Sequence, residues 1–217
     1  SIKYLVLTHP HTDHISGTRW MLETYGVDAV ILSPVEYRTE VFNKTLAALR
    51  EHEIKMIYPY PGDQFHLGDA TVTVYGPHPV AYEQENDWSV VLMIEYAGRK
   101  ILLAGDAQIE AEMDMLSWDE RLPLKADILK VAHHGSNTSS SYQFIAAVEP
   151  DYAIVSCGKN DDDYLMGGYT PRLTWKLYDE KNVVDYEHFG IPFIINVEKF
   201  KSKIRNLRYR YMINENT

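Results

Sequence analysis

The feature that most constrains this chain is a cluster of metal-ligand side chains directly after an apolar run. Residues 2–8 are typical of a buried strand, and three histidines and one aspartate, His9, His11, Asp13 and His14, follow within six residues. Alternate side chains at a strand end point the same way, so His9 and His11 can share one ion. Asp13 and His14 come from the next turn and can bind a second ion. Imidazole and carboxylate suit zinc, manganese or iron, so the cluster predicts a metal site. The alternative is a polar surface turn with chance histidines.

Two further apolar runs end in candidate ligands. Residues 101–105 lead into Asp106, and a carboxylate at that point can bridge two ions. The alternative for Asp106 is a cap on the following helix. Residues 127–132 lead into His133 and His134. Because neighbouring side chains on extended backbone point to opposite sides, one histidine is expected to bind metal and the other to contact substrate or orient a ligand. The alternative is one satisfied core histidine and one exposed histidine.

The order of the predicted elements indicates sheets covered by helices. Predicted strands cover residues 2–8, 29–32, 64–67, 70–75, 89–96, 100–104, 128–132, 152–156, 182–186, 193–197 and 204–211, and predicted helices cover residues 17–25, 35–52, 107–116, 140–148 and 171–181. This order predicts a layered α/β or α+β sandwich. No repeat, low-complexity tract or linker divides the chain, so residues 1–217 are expected to form a single domain.

The charge and apolar content of the chain limit the kinds of partner that it is expected to bind. The net charge is −10, and residues 199–217 are basic, which leaves the rest of the chain more acidic still. An acidic body disfavours non-specific nucleic-acid binding, although bound divalent ions would add local positive charge. The expected partner is a small-molecule or phosphoester substrate, with nucleic acid less favoured. No stretch reaches the ~20 apolar residues of a membrane helix, and the sequence assigns no cellular compartment.

The H-x-H-x-D-H string of residues 9–14, with Gly17 closing the loop, resembles the hallmark of the metallo-β-lactamase superfamily. Residues 85–92, 102–106 and 129–136 also resemble the hydrolase domain of ComEC-type competence proteins, and the arrangement is similar to that of bacterial phosphorylcholine esterases. The resemblance extends from about residue 2 to about residue 171 and points to a bacterial, competence-related protein.

This resemblance implies an α+β fold, the metallo-β-lactamase-like αββα sandwich, holding two divalent metal ions. Zinc is expected, and manganese is the alternative. The implied ligands are His9, His11, Asp13, His14, Asp106 and His134. A bridging water or hydroxide would attack a phosphoester or phosphodiester bond. Asp13 is expected to orient this nucleophile, and His133 to contact the leaving group or the developing charge.

Two departures from the usual superfamily pattern bear on the substrate. Asn86 and Asp87 match a stretch where other members carry a further metal-binding histidine, so the first ion is expected to keep an open position. The missing histidine counts against a second hypothesis, hydrolysis of lactams, lactones or thioesters. Tyr169-Thr170-Pro171 stands where the family often has Gly-His-Pro, which leaves a third hypothesis, a non-catalytic binding domain on the same scaffold.

The chain begins directly before its first motif, whereas family members usually have earlier strands beside this one. Residues 2–7 are apolar in the manner of a strand inside a sheet. We therefore expect an N-terminally incomplete domain whose first sheet is short of strands or covered by another chain. We also expect the biological protein to be longer, and residues 1–217 alone to be poorly soluble or oligomeric.

Overall fold

The computed structural model describes residues 1–118 and 122–156, together with the backbone of two short strands at 183–184 and 193–196. Within these residues the chain forms two sheets. The first sheet is parallel and consists of β1 (Ile2–Leu7), β2 (Val27–Leu32) and β3 (Lys55–Ile57), in that spatial order. The second sheet consists of β4 (Gln64–Leu67), β5 (Ala70–Gly76), β6 (Val91–Tyr96), β7 (Arg99–Leu103), β8 (Ile128–Lys130), β9 (Tyr152–Val155), β10 (Val183–Val184) and β11 (Phe193–Asn196). Its spatial order is β10-β11-β9-β8-β7-β6-β5-β4.

The described α-helices are α1 (Thr12–Ile15), α2 (Thr18–Thr24), α3 (Glu40–Glu51), α4 (Ile109–Ser117) and α5 (Tyr142–Val148). Two 3₁₀ turns, Glu85–Trp88 and Ala132–Gly135, lie in the loops at one end of the second sheet. Across the described ranges, no helix has both the length and the apolar character needed to cross a membrane.

The two sheets pack face to face, with helices on their outer faces. Ile31 of β2 packs against Val72 and Val74 of β5 between the sheets. Its neighbour Val30 packs on the opposite face, in the core that the first sheet shares with α2 and α3. Adjacent residues of β2 are thus buried in different layers, which explains why the strand is apolar throughout. A third core, which includes Phe144, joins the second sheet to α4 and α5. The predicted αββα sandwich is confirmed.

Some observed elements differ from the predicted ones in their bounds or were not predicted at all. The predicted helix at 35–52 begins only at Glu40, because Thr39 takes extended backbone and its hydroxyl caps the helix by accepting the N–H of Phe42 at 3.2 Å. The short strand β3 was not predicted, since its three residues carry too little pattern. The predicted helix at 171–181 and strand at 204–211 lie outside the described residues.

The first strand lies at an edge of its sheet. Among the described residues, β1 pairs with β2 on one side, and most of its side chains are half-buried. The apolar character of residues 2–7 is typical of a strand with neighbours on both sides, whereas the described residues place a neighbour on one side only.

The carboxyl ends of four strands lie at one edge of the sandwich. In the second sheet β7, β8 and β9 are parallel neighbours, so their carboxyl ends meet. In the first sheet β1 ends at the same place, because the N–H of Val90, just before β6, donates to Thr8 O at 2.8 Å. Residues that are far apart in sequence are thereby brought together at this edge.

Candidate metal centre

Three donor atoms from two distant segments form a triangle at this edge. Asp13 Oδ2 lies 3.3 Å from His14 Nε2 and 3.4 Å from His134 Nε2. The two histidine nitrogens lie 3.3 Å apart. Around a tetrahedral metal ion with bonds of about 2.1 Å, neighbouring ligand atoms are separated by about 3.4 Å. The triangle therefore has the dimensions of one face of a metal coordination tetrahedron.

Asp106 forms a second triangle on the same pair of histidines. Its Oδ2 lies 3.2 Å from His14 Nε2 and 3.3 Å from His134 Nε2. The same oxygen is 3.8 Å from His9 Nε2. Asp106 Oδ2 thus stands between the histidine pair and His9, where one carboxylate oxygen could serve two ions.

His9 directs an unpartnered nitrogen into this cluster. The residue is 1% exposed, and its Nε2 has no hydrogen-bond partner. Burying such an atom without a partner costs free energy, so its presence indicates a ligand. Burial lowers the pKa of His9 to about 3, so the ring is neutral and the Nε2 lone pair is available to a metal ion.

Hydrogen bonds at the opposite ring nitrogens orient the three histidines. Thr8 Oγ1 lies 3.1 Å from His9 Nδ1 and 3.2 Å from His14 Nδ1, and its two lone pairs can accept both N–H groups. His134 Nδ1 donates to Ser156 O at 2.8 Å. Each ring then keeps its Nε2 for a metal ion, as partners behind metal-binding histidines usually ensure. Thr8 and Ser156 were not among the residues predicted from the sequence, although each directly follows a strand at the site.

A tight turn places Asp106 at the centre of the cluster. Gly105 has a φ of +55°, and a Cβ added there would lie 2.9 Å from Ser89 Cβ. The N–H of Asp106 donates to Ser89 Oγ at 2.9 Å. Burial opposes ionisation of Asp106, but in the metal-free cluster hydrogen bonds from His134 and His14, which a bound ion would replace, outweigh it and hold the pKa of Asp106 well below its ordinary value. The carboxylate is therefore charged and ready to bind a cation.

His11 lies beside the cluster and belongs to neither triangle. Its ring is 4.7 Å from the His9 ring and 5.9 Å from the Tyr37 ring, measured between centroids. The donor atoms that lie within 4.8 Å of one another come from His9, His14 and Asp106 and from Asp13, His14 and His134. The predicted sharing of one ion by His9 and His11 stays a prediction.

His133 and His134 diverge, but the expected extended backbone is wrong. Both residues have left-handed backbone, with φ of +48° and +52°, because the chain turns sharply after β8. His134 joins the donor cluster. His133 instead places Nε2 3.2 Å from Asn86 Nδ2 and Nδ1 2.9 Å from Thr138 Oγ1. Burial lowers the pKa of His133, so it is a neutral ring with both nitrogens engaged.

Asp87 caps a helix and does not face the cluster. The residue is 1% exposed, and its Oδ1 accepts the N–H groups of Gln108 at 2.7 Å and Ala111 at 3.1 Å, at the start of α4. Burial raises the pKa of Asp87 in spite of these bonds. Asn86 contacts His133, and neither residue joins a donor triangle. The expected open position on the first ion stays a prediction.

The donors that converge here fit divalent metal ions. Three imidazole nitrogens and two carboxylate oxygens suit zinc, manganese or iron. The two triangles share the nitrogens of His14 and His134, and Asp106 Oδ2 also lies near His9 Nε2, so these donors offer two adjacent positions. The residues present therefore fit a dinuclear centre.

The fold and this cluster define the class of protein. The family model of the metallo-beta-lactamase superfamily matches residues 1–159, and the chain belongs to that superfamily. The resemblance carried by the H-x-H-x-D-H string is thereby confirmed.

Curated relatives confirm the likeness to competence proteins. The chain is 32% identical over 157 residues to ComE operon protein 3 of Bacillus subtilis strain 168, a match that covers 72% of this chain and 20% of that protein. It is 28% identical over 159 residues to Recombination protein 2 of Haemophilus influenzae, covering 73% of this chain and 18% of that protein. The chain thus spans about a fifth of the length of these relatives.

Solved structures with a similar fold include CmlA, a diiron β-hydroxylase from Streptomyces venezuelae, with a TM-score of 0.43 and 14% identity over 69% of this chain and 34% of that one. They also include the metallo-beta-lactamase fold protein YhfI from Bacillus subtilis. Its TM-score is 0.36, with 16% identity over 59% of this chain and 48% of that one.

Proposed function

We propose that this chain is a dinuclear-metal-dependent hydrolase of phosphoester bonds, with phosphodiesters as the preferred class. The proposal rests on one observation: the nitrogens His14 Nε2 and His134 Nε2 belong both to the triangle with Asp13 Oδ2 and to the triangle with Asp106 Oδ2. Two carboxylate oxygens on one histidine pair, with the unpartnered His9 Nε2 nearby, provide for two cations and have no comparable use in a binding surface.

The proposed ligands include buried residues and an exposed residue, and these have different roles. Bound divalent ions would lower the pKa of a coordinated water and polarise a phosphoryl oxygen. His9 and Asp106 are buried and would hold the ions in place. The Asp13 side chain is 64% exposed, so substrate approaches from this side and Asp13 is placed to orient the attacking water.

His133 supports the reaction without binding metal. Its neutral ring is held between Asn86 and Thr138, one residue away from the ligand His134. When substrate displaces Asn86, the ring can take the tautomer that carries its proton on Nε2, with Nδ1 accepting the hydroxyl of Thr138. Nε2–H can then donate to the leaving group or to the charge that develops on it. The role of His133 is therefore separate from metal uptake and can be tested separately.

The names of the relatives favour a phosphodiester substrate. Recombination protein 2 and Competence protein ComA of Neisseria gonorrhoeae are named for recombination and competence, and nucleic acids are phosphodiesters. The acidic character of the chain disfavours broad contact with a nucleic-acid backbone. Recognition would then depend on the metal centre itself.

The proposal is tested on the full-length protein in two stages. Elemental analysis after metal loading should find two divalent ions for each chain, with zinc expected and manganese and iron as the other outcomes. Hydrolysis is then measured on bis-p-nitrophenyl phosphate, p-nitrophenyl phosphorylcholine, single-stranded DNA and nitrocefin. Asp106→Asn should abolish phosphoester hydrolysis, whereas His52→Ala, an exposed histidine at the end of α3, should not change it.

Three outcomes would contradict the proposal. Turnover of nitrocefin alone would favour hydrolysis of carboxyl derivatives. Ligand binding without turnover by the metal-loaded protein would favour a binding domain. Hydrolysis that survives both metal removal and Asp106→Asn would show that the donor cluster is not the active site.

A further inference from the structure

Lys130 carries a mostly buried positive charge next to the donor cluster. It is the last residue of β8, and it lies between Leu103 of β7 and Ile154 of β9. Its neighbour Leu129 packs in the core under α4 and α5, so Lys130 points to the opposite face of the sheet, toward the first sheet. Its side chain is only 22% exposed. A lysine in such a place needs partners, because burial of an unpaired charge is costly.

The partners of Lys130 are the two residues of the turn that presents the metal ligand. Lys130 Nζ donates to Gly105 O at 2.7 Å and lies 3.5 Å from Asp106 Oδ1. Gly105 O also accepts the N–H of His133 at 3.2 Å. The lysine thus connects the turn after β7 with the turn after β8, and both turns carry residues of the site.

The two oxygens of Asp106 are divided between different partners. Oδ1 faces Lys130, whereas Oδ2 faces His14 Nε2 at 3.2 Å and His134 Nε2 at 3.3 Å. The two oxygens of a carboxylate are equivalent, so the lysine charge acts on the rotation angle of the group: it favours the angle at which one oxygen stays on the lysine side and the other faces the histidines. The N–H of Asp106, bound to Ser89 Oγ, fixes the backbone but leaves the carboxylate free to rotate.

We propose that Lys130 is a positioning residue that makes Asp106 a one-oxygen metal ligand. By holding Oδ1, it keeps Oδ2 at the point that His9, His14 and His134 share, and it prevents both oxygens from chelating a single ion. This inference rests on the proposed metal centre. A purely structural role, a clip between two turns, would affect folding and metal binding alike, whereas the positioning role concerns metal binding.

The test compares Lys130→Met with Lys100→Met in the full-length protein. Methionine keeps an unbranched apolar stem but has no charge and no N–H donor. Lys100 lies on the neighbouring strand β7, and its ammonium pairs with Glu95 at 3.4 Å on the surface, so it is a matched control. Zinc and cobalt affinities are measured by competition with a chromophoric chelator, and stability is measured by urea unfolding of the metal-free protein.

We expect Lys130→Met to bind metal roughly 10- to 100-fold more weakly, the usual loss when a partner behind a ligand is removed. The metal-free variant should be as stable as the unmodified protein, and the visible absorption of its cobalt form should change as Oδ1 turns to the ion. Lys100→Met should match the unmodified protein in all three measurements.

Equal metal affinity in the two variants would overturn the proposal, as would a loss of affinity accompanied by a matching loss of metal-free stability. If Lys130→Met does not fold, Lys130→Leu, which also lacks a charge and an N–H donor, takes its place with the same expectations. The unmodified protein is titrated first. If it takes up no metal, the metal centre itself is wrong, a result distinct from metal uptake that does not depend on Lys130.

Discussion

The carboxylate of Glu112, on α4, accepts the N–H of Ser141 at 2.8 Å at the start of α5. It also accepts the N–H of Ser140, and the side chain of Ser141 caps α5 by accepting the N–H of Phe144 at 3.2 Å. Glu112 is 0% exposed. A buried carboxylate therefore anchors the far end of the loop that begins with the turn carrying His134.

This arrangement predicts a pH-dependent stability. Burial, opposed by the bonds from Ser141 and Ser140, raises the pKa of Glu112 from 4.5 to about 7. A raised folded-state pKa means that the folded chain holds this proton more tightly, so the stabilisation is complete below pH 4.5 and is lost as the pH rises to about 7. The loss is about 3 kcal/mol. The free energies of unfolding of the metal-free protein and of Glu112→Gln, measured with urea, should differ by an amount that changes between pH 4.5 and about 7. A difference that is constant between pH 5 and pH 8 would contradict the prediction.

Thr8 should control metal binding through two histidines at once. Thr8→Val removes the oxygen that lies 3.1 Å from His9 Nδ1 and 3.2 Å from His14 Nδ1 while keeping the shape of the side chain. Zinc affinity should fall about 10-fold or more, because both rings lose the bond that fixes their orientation. Thr8→Ser keeps the hydroxyl and should bind zinc normally. Equal affinities of the two variants, measured by chelator competition, would rule out this role.

The two adjacent histidines should separate metal binding from turnover. His134→Ala removes a nitrogen from both donor triangles and should lose bound metal in elemental analysis. His133→Ala removes a ring bound to Asn86 and Thr138, so it should keep its metal and lose turnover of bis-p-nitrophenyl phosphate. The reverse pattern would exchange the two roles.

Gly105 should tolerate substitution less well than another left-handed glycine. Gly98 has a φ of +75° in the turn between β6 and β7, and a Cβ there would meet nothing within 4 Å. Gly98→Ala should therefore cost only the left-handed strain, about 1–2 kcal/mol. Gly105→Ala adds a contact of 2.9 Å with Ser89 Cβ and should cost about 1–3 kcal/mol more. Urea unfolding of the two variants tests this, and equal losses would show that Ser89 moves aside freely.

The class of fold and the principal candidate ligands could be predicted from residue type and spacing alone. Apolar runs of strand length that lead into His9, Asp106 and His134 place these residues just after strands. The strands before Asp106 and His134 are parallel neighbours, so their carboxyl ends meet at one sheet edge. The H-x-H-x-D-H string contributes Asp13 and His14 through short-range spacing alone. Such local signals are readable because they depend on a few consecutive residues.

Which side-chain atoms contact each other at the site depends on the tertiary structure. Lys130 and Asp106 are 24 residues apart, and Asn86 and His133 are 47 apart, so no local pattern links either pair. The side chains of His133 and His134 point in different directions because both residues have left-handed backbone after β8. The alternation of side chains along an extended strand does not describe this turn. The contacts of Thr8 with two ring nitrogens, and of Glu112 with the start of α5, likewise depend on how sheets and helices pack. Long-range pairing and sharp turns arise from the packing of the whole chain, and this is why these partners could not be predicted from residue type and spacing.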